Sequence, residues 1–393
     1  MHKYMAVVFH TLKWYSVTNN AYYSEGHPMD SMTYGFIGLG LIGGSIARAI
    51  KSADSTSRII AYTPHKETVN KAFEDGIVDN PLYEIGEAFG ECDFIFLCAP
   101  VELNNENLRT LLPYLNPRTT VTDIGSVKSS IHQVVKELSL ESQFIGGHPM
   151  AGTERIGYNN SKPNLLENAY YIITKTDYSS QERLDEYIKL VKMIKAIPLV
   201  IPYEQHDYVT AAISHVPHVI SASLVNLVRN NDSPDQLMKT IAAGGFKDIT
   251  RISSSSPIMW KQICITNSFN ISELLGNYID SLCDIKLAID EHDEEKIMRF
   301  FESAREYRES FMDGSHGPIK EVYAIHIEID DKPGNLARVA TLLSDNMINI
   351  KNIGIVHNRE YERGTLRIEF HDKSGQDKAK ELLEENGYIL YMK

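Results

Sequence analysis

A chain of 393 residues is too long for one ordinary hydrophobic core, and roughly two or three domains are expected. Its apolar fraction of 43% and charged fraction of 23% are those of a globular protein rather than a disordered or fibrous one. With 39 basic against 52 acidic residues, the net charge of −13 argues against a nucleic-acid surface, though a local basic pocket for an anionic substrate fits within it.

Residues 1–31 are rich in Tyr, Asn and Ser and contain no arginine. They lack the apolar stretch and cleavage site of a secretory signal and the arginines of a transit peptide, so a disordered extension is expected, with Met29 and Met32 as alternative initiators. From residue 33, short β-branched runs alternate with helical stretches, the pattern of an α/β domain with a mostly parallel sheet over 32–202. Strands are predicted at 34–37, 58–62, 93–99 and 120–124, and those at 143–147, 169–174 and 197–201 are expected to extend and close the same sheet. Periodicity over 203–313 is helical, and 204–228 reads as one long helix with a kink at Pro217, which removes a backbone donor. The Gly- and Pro-containing stretch 314–320 reads as a linker. Residues 321–393 follow the strand, helix, strand, strand, helix, strand order of an α+β ferredoxin-like domain. The four cysteines, Cys92, Cys98, Cys264 and Cys283, form no CxxC pair, and read as buried free thiols in a reducing compartment. No apolar run approaches the roughly 20 residues of a membrane span.

Two segments carry chemistry. Gly38-x-Gly40-x-x-Gly43 follows a predicted strand and opens an apolar helix, the context of a Rossmann-like dinucleotide site. The first glycine allows the turn, the second lets backbone approach a pyrophosphate, and the third lets helix and strand pack closely. Leu39, Leu41 and Ile42 complete that turn, and Ala99, Pro100 and Gly125 end later strands of the same sheet. The acidic residue that would bond the ribose is missing: Thr63 stands there, followed by His65 and Lys66, which tolerate a 2′-phosphate. NAD is the expected cofactor, with NADP left open. The second segment, 146–154, sets His148 among small residues where a reacting carbon can approach, as an imidazole base for hydride chemistry requires.

Four stretches, Asp123-Ile-Gly-Ser126-Val-Lys128, Gly146-Gly-His148-Pro-Met-Ala-Gly152, Ser214-His215-Val-Pro217-His218 and Gly244-Gly-Phe-Lys247-Asp248-Ile-Thr-Arg251, resemble the prephenate dehydrogenase family in one order across 33–312. The resemblance implies NAD-dependent oxidative decarboxylation of prephenate to 4-hydroxyphenylpyruvate, in tyrosine biosynthesis, by a cytoplasmic homodimer joined through the helical domain. It implies His148 as the base and Ser126 as the residue that orients it and reaches the same hydroxyl. Arg251 would grip one carboxylate through paired N–H bonds, with His218 donating to the other end of the substrate. Ser214 borders that site, and Lys247 would act at or across a subunit contact. Lys247, Asp248 and Arg251 also admit a plain reading as a solvated charge cluster. His215 is taken as structural, as are His206, His316 and His326, which carry no signal. Trp260 is read as core, at the pocket wall. No metal is expected, because aromatisation of the ring drives the loss of carbon dioxide.

Residues 329–336 resemble the first strand–helix turn of an ACT domain, with Asn349 and Ile350 at the following strand. The resemblance implies an amino-acid effector, tyrosine, near Asp331, Gly334, Asn335, Leu336, Asn349 and Ile350, with a domain that only dimerises as the alternative. Arogenate dehydrogenase is the neighbouring activity. An amino-acid sensor on a retired dehydrogenase is the reading from another class, and the intact glycines, Ser126, His148 and Arg251 argue against it.

Overall fold

Five runs of β-branched and aromatic residues pair in parallel: β1 (Thr33–Ile37), β2 (Arg58–Tyr62), β3 (Asn80–Leu82), β4 (Phe94–Leu97) and β5 (Thr120–Asp123), in the order β3-β2-β1-β4-β5. A computed structural model describes residues 32–153, 155–310, 323–330, 332–355 and 364–391. The expectations for residues 1–31, for the linker 314–320 and for Asp331 lie outside the described residues. Helices α1 (Leu41–Ala53), α2 (Lys66–Glu74), α3 (Val101–Leu111) and α4 (Ser129–Glu137) connect the strands. Every residue of β4 is buried, as expected of a strand covered on both faces. The strand order reverses between β1 and β4, and this opens a crevice at the carboxyl ends of the strands. No sequence pattern marks β3, a three-residue edge strand containing Pro81, which an edge tolerates.

The next three strands do not continue this sheet. β6 (Ile145–Pro149), β7 (Tyr170–Lys175) and β8 (Ile197–Val200) form a second sheet in which β6 runs antiparallel to β7, and α5 (Gln181–Met193) leads into β8. Between β5 and β6 a single bridge, Val121 to Phe144, is found among the described residues. The fully buried Lys128 ammonium lies between these two strands: it bonds Asp123 at the end of β5 and donates to the Gly147 carbonyl of β6 at 2.6 Å.

The long helix is present but is not regular. α6 (Tyr203–Thr210) passes into a π-turn (Ala211–His215) and then α7 (Val216–Asn231), so the irregularity expected at Pro217 falls in the turn just before it. By length and composition this helix alone among the described residues could cross a membrane. Its buried His206, Asp207 and His215 instead hydrogen-bond other parts of the chain, as detailed below. Short helices α8 (Leu237–Ile241), α9 (Gly244–Thr250) and α10 (Pro257–Thr266) follow.

The chain divides into two compact units at Asn270–Ile271. The second unit holds α11 (Ser268–Asp290) from its fourth residue, α12 (Glu294–Ser310), and the expected βαββαβ region: β9 (Tyr323–Ile329), α13 (Asn335–Asp345), β10 (Ile350–Ile355), β11 (Gly364–Phe370), α14 (Lys373–Glu385) and β12 (Leu390–Tyr391). These four strands lie antiparallel in the order β10-β11-β9-β12, the ferredoxin-like arrangement. Ile325, Ile327 and Ile329 alternate inward from β9 onto Val339 and Leu343 of α13.

Candidate active site

The glycine-rich turn is shaped by contact. Gly38 has φ +101°, and a side chain there would lie 2.8 Å from the Cys98 backbone of β4's end. A side chain at Gly43 would meet the Gly38 carbonyl at 2.8 Å. Gly40 by contrast faces open space and caps α1 without any side-chain hydrogen bond, so the first amides of the helix remain available to an anion. Leu39 is buried and can serve only through its backbone, whereas Leu41 and Ile42 begin the helix half-buried. Around the crevice, Thr63 follows β2, Ala99 and Pro100 follow β4, and Gly125 follows β5. The Ala99 amide is fixed by buried Asn104 at 2.9 Å, and the Gly125 amide by Asp123 at 2.9 Å. All ten residues predicted to border a dinucleotide thus stand at carboxyl ends of the parallel strands, and the open glycine and uncapped helix fit a pyrophosphate.

His148 lies on β6, which can approach β5 only because of the glycines before it. A side chain at Gly147 would sit 2.4 Å from the Tyr187 hydroxyl and 2.9 Å from the Asp123 carbonyl. The half-buried His148 ring places Nδ1 2.7 Å from Nε2 of His206, whose Nδ1 is 2.7 Å from a carboxylate oxygen of Asp207. Asp207 also accepts the backbone N–H groups of Lys128 and Ser129, each at 2.8 Å. Burial lowers the pKa of His148, and the neighbouring His206 and Lys128 lower it further, so the ring is neutral at neutral pH. Burial likewise lowers that of His206 against the pull of Asp207. Burial works the other way on Asp207, yet hydrogen bonds from His206, Ser129 and Lys128 hold its carboxyl below the usual range. Ser126 sits half-buried in the β5–α4 connection, and its hydroxyl makes no hydrogen bond among the described residues. Among the described residues, the side chain hydrogen-bonded to the His148 ring is His206.

The helical side of the site is set by the π-turn. His215 is buried, takes a 3.1 Å hydrogen bond from the Asn267 amide, and has its pKa pushed down to about 4 by burial. His218 stacks on Trp260 at 3.8 Å, and its Nδ1–H donates to the Ser214 carbonyl at 2.8 Å. The neutral ring then offers only an acceptor at Nε2, and it donates to a carboxylate only as imidazolium. Burial lowers the pKa of His218, and Arg251 adds to the effect, which brings that guanidinium into the same field. Arg251 opens the turn after α9, which packs on α7; Lys247 lies exposed on α9 itself. Among the described residues, no cluster of three or more His, Cys, Asp or Glu is placed to hold a metal ion.

In the ferredoxin-like region, a shallow cavity is lined by Ala340, Ser344, Met347, Ile348, Asn349 and Ile350. It joins two of the predicted effector residues. Gly334, Asn335 and Leu336 stand at the opposite end of α13, about 16 Å away along an eleven-residue helix, so one copy does not bring the set together.

Sequence reasoning took His206 as structural and gave Asp207 and Lys128 no role. The contact between His148 and His206 spans 58 positions, and no local spacing announces it.

Comparison with known proteins gives a consistent picture. The family model for the prephenate dehydrogenase nucleotide-binding domain matches residues 46–199, and that for the prephenate dehydrogenase dimerization domain matches 202–303. The chain is 34% identical to the prephenate dehydrogenase of Bacillus subtilis over 349 residues, 88% of this chain and 94% of that one. Among solved structures it resembles prephenate dehydrogenase from A. aeolicus, in complex with hydroxyphenyl propionate and NAD+, with a TM-score of 0.68 and 30% identity. That match covers 72% of this chain and 100% of the other. Synechocystis arogenate dehydrogenase matches with a TM-score of 0.64 and 29% identity, over 71% of this chain and all of its own.

Proposed function

The chain belongs to the prephenate dehydrogenase family and is an oxidoreductase; from that premise we propose that it oxidises and decarboxylates prephenate to 4-hydroxyphenylpyruvate, using NAD, in tyrosine biosynthesis. The observation that carries this reading is His148, a neutral imidazole whose Nε2 makes no hydrogen bond among the described residues, next to the end of β5. NAD supplies the hydride acceptor when bound, held by the amides at the start of α1 and bordered by Thr63, Ala99, Pro100 and Gly125. His148 takes the ring hydroxyl proton on Nε2 as hydride leaves the same carbon, and Ser126 reaches that hydroxyl. Arg251 pairs with a carboxylate, with Ser214 and Lys247 completing the anionic end and His218 bordering it with an acceptor nitrogen. Loss of the ring carboxylate as carbon dioxide follows from aromatisation and asks no electron sink of the protein.

A specific observation also favours arogenate. With its Nδ1–H committed to Ser214, neutral His218 offers a lone pair, which suits an ammonium group as a donor. The regulatory reading is tyrosine binding to an ACT domain over 321–393, with Asn349 and Ile350 of one copy facing Gly334, Asn335 and Leu336 of another. Pairing through 203–313 is supported by exposed Ile213, Ile249, Ile258 and Phe269. We place the domain boundaries at 202–203 and 313–321, and the homodimer in the cytoplasm.

Reduced-nicotinamide absorbance tests the reading, with prephenate or arogenate, NAD or NADP, and with or without tyrosine. Faster turnover of prephenate with NAD, suppressed by tyrosine, is the expected result. Faster arogenate or NADP turnover overturns the substrate or cofactor choice. Tyrosine binding without turnover of any pair leaves the sensor.

A further inference from the structure

We propose that His206 and Asp207 are positioning residues that set the tautomer and basicity of His148; this rests on the reading of His148 as the base. A carboxylate only accepts, so the 2.7 Å contact with Asp207 puts the proton of His206 on Nδ1. Burial keeps His206 neutral, which leaves a bare lone pair on its Nε2. That lone pair, 2.7 Å from His148 Nδ1, requires a proton there and leaves His148 Nε2 as the acceptor. Asp207 cannot drift, because two amides of the α4 entry, Lys128 and Ser129, hold both of its oxygens.

The same line offsets charge. When Nε2 takes the hydroxyl proton, the imidazolium goes on donating from Nδ1 to His206, with the Asp207 charge one ring away and no further proton moved. Of the other groups that face His148, the Lys128 ammonium opposes its protonation, while the His215 ring is neutral. Asp123, the other buried carboxylate here, is already paired with Lys128.

The experiment uses the full chain, with His206→Leu, which has no acceptor, and His206→Gln, whose amide oxygen can replace the lone pair. Leucine is expected to lower kcat about 10²-fold at unchanged KM, and glutamine to recover most of it. In ¹⁵N-histidine-labelled protein, ring-nitrogen shifts should place the His148 proton on Nδ1 in the wild type and the glutamine variant, and not in the leucine variant. A wild-type proton on Nε2, wild-type kcat in His206→Leu, or equal loss in both variants with matching loss of thermal stability overturns the proposal. If the leucine variant does not fold, the wild-type ring-nitrogen measurement decides alone. Turnover surviving in His148→Asn sinks the base reading instead, and the tautomer measurement does not depend on it.

Discussion

The two compact units bury different things. Among the described residues every buried polar or charged side chain, from Ser45 to Asn267, precedes Ile271, and the core of the βαββαβ region is apolar throughout. The nucleotide-side unit has a full apolar core as well, but it also encloses Asp123, Lys128, His132, His206, Asp207 and His215. Such groups contribute little net stability compared with apolar residues of the same volume, and removing one partner is costly. The contrast separates a region whose interior is arranged for chemistry from one whose interior only holds a fold together. Each substitution or change of condition below should affect one side and spare the other.

The largest expected effect is at the base. His148→Asn should lower kcat by about 10²–10⁴ while NAD titration gives an unchanged affinity. Lys128→Met leaves Asp123 charged, buried and unpaired, and should cost about 3–5 kcal/mol in urea unfolding of the first unit. Leu343→Ala is the mirror case: it should cost about 2–5 kcal/mol in the second unit, and weaken tyrosine inhibition, with kcat for prephenate unchanged. Loss of kcat there would break the separation. Arg251→Ala should raise KM about 10–100-fold with kcat nearly kept, the range for a charge-assisted hydrogen bond; an unchanged KM would mean the carboxylate is held elsewhere.

The smallest effect is a slope. Burial holds His132 at about 3 and His215 at about 4, below the ordinary 6.5. Below pH 6.5 the unfolded chain therefore binds protons that the folded chain refuses, and stability falls with pH from 6.5 until each folded value is reached. Each ring contributes up to about 1.4 kcal/mol per pH unit. Urea midpoints at pH 7, 6 and 5 should fall for the first unit, and a flat series would show that these rings are not buried in solution.

Much of this was legible in the sequence because it is local. The dinucleotide motif is six consecutive residues running from the end of a strand into a helix, and the βαββαβ order follows from alternation such as that of Ile325, Ile327 and Ile329. The second sheet was not legible, since strand-like runs show where strands form and not which neighbour each one pairs with. His206 was set aside for a related reason. A histidine beside an aspartate at a helix start looks ordinary until the chain folds His148 against it. The donor state of His218 is likewise set by the fold, because its Nδ1–H is taken by a carbonyl four residues back.

The π-turn at Ala211–His215 has an evolutionary consequence. Deleting one codon within it would yield a more regular helix, and a local stability screen would favour the product. Yet each residue of an α-helix advances the azimuth by about 100°, so everything downstream would rotate by that amount. His215 and His218 would change their place relative to His206 and Asp207, which precede the turn. The wide turn is a register mark: lineages that smooth it away keep the helix and lose the enzyme.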